Sequence, residues 1–139
     1  MKKLLTTIVA GIGATASYAD CELLSAADAE EVLGPSVMDL SGDNSDSQCL
    51  FIGGSPQGTF TVQFADRAWY EQTSILPPHT PIDVGDEGRS NVDTNGVTAV
   101  QFVRGDTTVT MSVRPSSPSD RDYLDALVAV AARLEDRLE

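Results

Sequence analysis

The chain has 139 residues, with 9 basic and 21 acidic side chains and a formal net charge of −12. That acidity argues against two polyanionic partners, nucleic acid and an anionic membrane surface. Its plain meaning is solubility; its sharper one is a docking surface for a basic partner or for cations.

Residues 1–19 read as a secretory signal. Lys2 and Lys3 form a positive start, Leu4 to Ile12 a short apolar core, and Ser17-Tyr18-Ala19 places small residues at the −3 and −1 sites. Ala14-Thr15-Ala16 is a competing cleavage site. Removing the segment leaves seven arginines, no lysine and 21 acids, a formal charge of −14. The remainder, 20–139, is expected to be a single α+β domain in the periplasm or outside the cell. Its size gives a modest core that a disulfide would help.

Only two cysteines are present, Cys21 and Cys49. In an exported domain they are most simply bonded to each other. Closing a loop of 28 positions would contribute about 3.5 kcal/mol by chain entropy. The rival is a lipid-anchored Cys21, but Asp20 stands where processing needs a small residue, and lipidation would orphan Cys49. No stable membrane anchor is therefore expected. The spacing does not fit a redox pair or a zinc site.

Cys21 to Gly34 predicts a short helix. Ser25 can cap it, Asp28 completes a capping box with Asp in place of Glu, and Leu24 can staple the first turn. Ala29, Val32 and Leu33 make the buried stripe, Glu22, Glu30 and Glu31 the wet side. Gly34 supplies the left-handed residue and Pro35 stops the helix. Asp39 to Ser47 reads as a polar loop whose acidic spacing does not fit an EF-hand.

Gln48 to Ile52 predicts a strand carrying Cys49, and the glycine-rich stretch to Gly58 a turn. Thr59 to Ala65 alternates, with Phe60, Val62 and Phe64 on one face, as a half-buried antiparallel strand does. Asp66 to Gln72, with Trp69 and Tyr70, predicts a short helix or turn over the sheet edge. Ser74 to Gly88 reads as a proline-rich loop with the one histidine, His79. Its end, Asp83-Val84-Gly85-Asp86-Glu87-Gly88, is a candidate binding loop through Asp83, Asp86 and Glu87.

Arg89 to Thr94 and Val97 to Arg104 flank Asn95-Gly96, a tight-hairpin signal. Gly105-Asp106 predicts a second two-residue turn before Thr107 to Arg114. Val100 and Phe102, with Val109, Met111 and Val113 on the partner, mark the core face. Arg104-Gly105-Asp106 spells a cell-adhesion tripeptide, but Gly-Asp is also what the turn demands. A last helix is expected from Ser117-Pro118, with Leu124, Leu127, Val128, Ala131, Leu134 and Leu138 facing the sheet.

These segments together resemble a type of small exported bacterial domain found in actinobacterial lipoproteins of unknown function and related extracellular sensor domains. The resemblance rests on Cys21 to Gly34, the Cys49-x-Phe51 strand, the Asp83–Gly88 loop, the Phe102–Asp106 hairpin and the closing helix. It implies an α+β fold: a curved antiparallel sheet of about five strands, an N-terminal helix stapled by a disulfide, and a C-terminal amphipathic helix on one face. It carries no catalytic residues to this chain, which lacks the lipidation site.

The expected function is that of a non-enzymatic binding or sensing protein, with no cofactor and no metal. Its ligand is an unknown protein or small molecule, and a monomer is expected. The alternatives are a metal-dependent or hydrolytic enzyme built on Asp83, Asp86, Glu87 and His79, or an inhibitor of a basic secreted enzyme.

Overall fold

The computed structural model describes residues 21–40, 48–54, 58–72, 79–93, 96–116 and 122–138. The signal segment with both cleavage sites, most of the Asp39–Ser47 loop, Asn95 and Ser117-Pro118 lie outside the described residues.

A single 3-10 turn, Cys21–Leu23, leads into helix α1, Ala26–Leu33. Ser25 accepts from the Asp28 N–H while Asp28 accepts from the Ser25 N–H, so the capping box is complete. Ala29, Val32 and Leu33 are buried as the periodicity predicts. Gly34 stops the helix at φ 96°, ψ −173°, a region open to glycine though not the left-handed helical one expected. The Cys21–Cys49 disulfide is formed, with Cα atoms 5.6 Å apart.

Seven strands follow: β1 Val37–Asp39, β2 Gln48–Gly53, β3 Gly58–Asp66, β4 Thr80–Ile82, β5 Glu87–Val92, β6 Thr98–Arg104 and β7 Thr107–Pro115. They form one wholly antiparallel sheet in the order β1-β2-β3-β7-β6-β5-β4. Helix α2, Arg67–Gln72, interrupts between β3 and β4, and α3, Leu124–Arg137, closes the chain.

Among the described residues the sheet therefore has seven strands, not about five. The two extra ones, β1 and β4, are three-residue edge strands, too short to show a period. β4 lies inside the expected proline-rich loop and contains Pro81. Proline is tolerated there because an edge strand leaves one side without a ladder partner. The β5–β6 turn is also longer than expected. Asp93 donates its N–H to the Val97 carbonyl (3.0 Å) and Gly96 donates to the Asp93 carbonyl (3.1 Å), with Gly96 at φ 87°. The Asp93 carboxylate accepts from the Val97 N–H and holds the wider closure. The β6–β7 turn is the two-residue one, with Arg104 paired to Thr107.

Strand alternation divides the sheet into two unlike faces. One carries Cys49, Phe51, Phe60, Val62, Val109, Met111, Val113, Val100 and Phe102, all buried, and forms the core with α1 and α3. From α3 come Leu127, Val130, Ala131 and Leu134. Val130 was not among the expected core residues, and Leu124, Val128 and Leu138 are only partly buried. Helix α3 begins at Leu124, whose N–H is accepted by Asp122 Oδ1 (2.9 Å).

The helices α1 and α3 are joined by a buried acid. Asp28 is 3% exposed. Its carboxylate accepts from Arg137 at 2.7 Å and from Arg133 at 3.4 Å, and Arg133 also pairs with Glu31. Burial alone would raise the Asp28 pKa; the hydrogen bonds from Arg137 and Ser25 outweigh it and hold the carboxyl below its ordinary value.

Candidate functional site

The second face of the sheet carries no α1 or α3 residue. It presents Leu50 and Ile52 on β2, Thr59, Thr61 and Gln63 on β3, Thr110, Ser112 and Arg114 on β7, Gln101 on β6 and Arg89 on β5. Among the described helices only α2 lies on it, and it reaches one end. That placement corrects the expectation of α2 over the sheet edge. Tyr70 on α2 is buried there, where α2 lies against β6 and β7.

A polar network borders the region under α2. Arg89 sits with its guanidinium carbon 4.1 Å from the Tyr70 ring centroid. It donates to the Tyr70 carbonyl at 2.8 Å and, through Nε, to Gln101 Oε1 at 2.9 Å. Gln101 is fully buried and donates from Nε2 to Thr110 Oγ1 at 2.9 Å. The direction of this chain is fixed by chemistry. A guanidinium can only donate, so Gln101 must turn its oxygen to Arg89 and its NH2 to Thr110. Thr110 therefore accepts, which leaves its own hydroxyl proton to donate outside the network. Hydrogen-bond chains polarise one another, and this one starts at a cation. The Tyr70 hydroxyl is buried without a hydrogen-bond partner among the described residues. Burial pushes its pKa up, the Arg89 charge opposes this, and the Glu87 carboxylate adds to the rise.

The open field beyond Thr110 is half-buried and polar. Thr59, Thr61, Gln63 and Ser112 lie on the two central strands, and no side-chain hydrogen bond joins them to another described residue. Acids are scarce. Of the described strand residues on this face only Glu87 is acidic, in a chain with 21 acids.

No family model, curated protein or solved structure matches this chain.

The loop singled out in the sequence does not converge. Asp83, Asp86 and Glu87 are all exposed. Asp86 accepts from the Gly105 N–H at 2.9 Å and from Arg67 at 3.3 Å, and these two interactions, the backbone one larger, lower its pKa. Arg67 also donates to the Gly105 carbonyl. Asp86 thus ties the β4–β5 turn to the β6–β7 hairpin and the start of α2. Gly85 allows this close approach. A Cβ there would lie 2.6 Å from the Val103 carbonyl oxygen, and its φ of 74° suits glycine. Glu87 faces the Tyr70 side of the sheet, while His79 is exposed just before β4. Among the described residues no group of three or more His, Cys, Asp or Glu could hold a metal ion. The adhesion tripeptide is similarly occupied, since Arg104 pairs with Glu135 on α3 at 2.7 Å. Among the described residues no helix is long and apolar enough to cross a membrane.

Sequence reasoning missed Arg89, Gln101, Thr110 and Tyr70. One signal was present. Gln101 interrupts Val100–Val103, an otherwise apolar run on both faces of a strand, and a buried amide there requires partners.

Proposed function

We propose that this protein is an exported binding or sensing module with no catalytic chemistry of its own, and that its ligand is met on the helix-free sheet face at Thr110. The observation that carries this reading is the directed chain Arg89–Gln101–Thr110. It leaves the Thr110 hydroxyl as an available donor on a face where the side chains of Thr59, Thr61, Gln63 and Ser112 have no hydrogen-bond partner among the described residues. The ligand group that fits is an acceptor oxygen, a carbonyl or carboxylate, of a small molecule or a peptide. Export is supported by the disulfide and by the signal-like first 19 residues, and the resemblance to exported bacterial domains points the same way. The curvature of the sheet belongs to that same resemblance. The enzyme reading on Asp83, Asp86 and Glu87 is weakened because Asp86 is spent on Gly105 and Arg67.

The test is amide chemical-shift mapping of the exported protein against a panel of peptides and small carboxylates. Binders should shift resonances on β3, β6 and β7, and Thr110→Val should weaken them about tenfold, the loss of one hydrogen bond to a charged group. Shifts confined to the Asp83–Glu87 loop, or binding unchanged in Thr110→Val, would overturn the assignment.

A further inference from the structure

Toward the end of β7 the helix-free face carries a cation that this chain does not use. Arg114 is exposed. Alternation puts it on the same side as Thr110 and Ser112, because Met111 and Val113 point into the core. Of the six described arginines, Arg67, Arg89, Arg104, Arg133 and Arg137 each hold a carboxylate, an amide or a carbonyl. Among the described residues Arg114 is the one arginine with no hydrogen bond or ion pair. The chain has 21 acids, so partners are not short; they are placed elsewhere. Glu87, the one acid among the described strand residues of this face, is registered through Val103 with Thr108. That is six positions along β7 from Arg114, about 20 Å. Asp93, just past β5, directs its Oδ1 to the Val97 N–H. Exposed charges more than about 8 Å apart are largely screened at physiological salt. A ligand at Arg114 therefore meets the guanidinium's own charge, although the whole chain carries −12.

The spacing along β7 selects the form of that ligand. Thr110 and Arg114 lie four residues apart on one strand, about 13 Å. Ser112 stands midway, its hydroxyl without a partner among the described residues. An extended peptide advances about 3.3–3.6 Å per residue and turns every second carbonyl to the same side. It matches the two-residue step of Thr110, Ser112 and Arg114, whereas a small dicarboxylate is too short to reach both ends. A guanidinium is a planar fork of donors that fits a carboxylate with two parallel bonds. We infer that Arg114 receives the free C-terminal carboxylate of an extended peptide lying along β7, while Thr110 donates to a carbonyl nearer its other end. This rests on Thr110 as a ligand contact, and it adds the class of ligand and the residue that holds its charged end.

The test uses random-sequence pentapeptides, prepared as free acids and as C-terminal amides. Each pool is titrated to about 1 mM into the disulfide-intact exported protein, and the Arg114 side-chain N–H and the β7 amides are followed by NMR. The free acids should shift both sets, and amidation should weaken binding at least about tenfold, the loss of a charged hydrogen-bonded pair. Arg114→Gln should weaken the free acids equally and leave the melting temperature unchanged, because the side chain is exposed and bonds nothing. Arg114→Lys keeps the charge without the fork and should restore only part of the binding. Arg67→Gln, at an exposed arginine already paired with Asp86, should leave binding unchanged. Binding that survives amidation and Arg114→Gln but is lost in Thr110→Val would overturn the role of Arg114 and keep that of Thr110. Binding lost in Arg114→Gln and untouched by Thr110→Val would overturn the role of Thr110 instead. No shift on β7 with either pool would overturn both.

Discussion

Replacing Asp28 with Asn keeps the size of the side chain and removes one charge. In the native structure Asp28 Oδ2 accepts from the Ser25 N–H at 2.9 Å and from Arg137 at 2.7 Å, while Oδ1 faces Arg133 at 3.4 Å. Asparagine has one acceptor oxygen for these donors, so its NH2 must face either an arginine or the cap. Losing a charged, buried hydrogen bond costs about 1.5–3 kcal/mol, and half a capping box roughly 1 kcal/mol. The arginines are 41% and 35% exposed and regain water, which lowers the penalty. The expected net loss is about 2–3 kcal/mol, or roughly 8–12 °C in melting temperature. Urea unfolding followed by far-ultraviolet circular dichroism measures it. A cycle with Arg137→Ala should return a coupling of about 1 kcal/mol or more. The pH dependence has a definite sign. The folded pKa of Asp28 lies below its ordinary 3.8, so its contribution is full above about pH 4 and is lost as pH falls through the folded value. Asp28→Asn should therefore flatten the acid limb of the stability curve. A variant within about 0.5 kcal/mol of wild type, with an unchanged acid limb, would show that the arginines are ordinary surface pairs and that α1 is held by apolar packing alone.

Leu127→Ala should cost about 2–5 kcal/mol, because Leu127 is fully buried against the sheet, whereas Ala132→Asp on the exposed side should cost little; denaturant midpoints decide both. Non-reducing peptide mapping should find Cys21 joined to Cys49, and replacing both with Ala should lower stability by about 2–5 kcal/mol. Calcium and chelator should leave the melting temperature unchanged, since Asp86 is held by Gly105 and Arg67; a calcium-specific rise of several degrees would restore the metal reading of the loop. Intact-mass measurement on exported protein should find a start at Asp20 or Ser17, and a retained Met1 or a lipid mass on Cys21 would contradict the export reading.

Local chemistry was legible in the sequence. The Ser25–Asp28 box, the alternation of Phe60, Val62 and Phe64 and the Gly105-Asp106 turn each depend on neighbours within a few residues. Long-range pairing was not. Nothing in Thr107–Pro115 says that it lies between β3 and β6, and three-residue edges such as Val37–Asp39 carry no period. Asp28 could be read as a cap, but its arginine partners lie on another helix far along the chain. The candidate site was illegible for the same reason. Arg89, Gln101 and Thr110 come from three strands, and only the register aligns them.

The central seam of the sheet has a kinetic consequence. β3 and β7 share nine residue pairs, the longest ladder among the described residues, yet α2 and three strands separate them in the chain. The N-terminal strands can form a meander early, but β3 then waits as a bare edge, its backbone groups on that side unpaired, until β7 arrives. Closing so long a loop before its contacts form slows folding. Exposed strand edges of this kind are where chains pair wrongly with one another. The interval between making β3 and making β7 is therefore when this chain is most vulnerable to aggregation. Substitutions along the seam should act on the folding rate more than on the rate of unfolding.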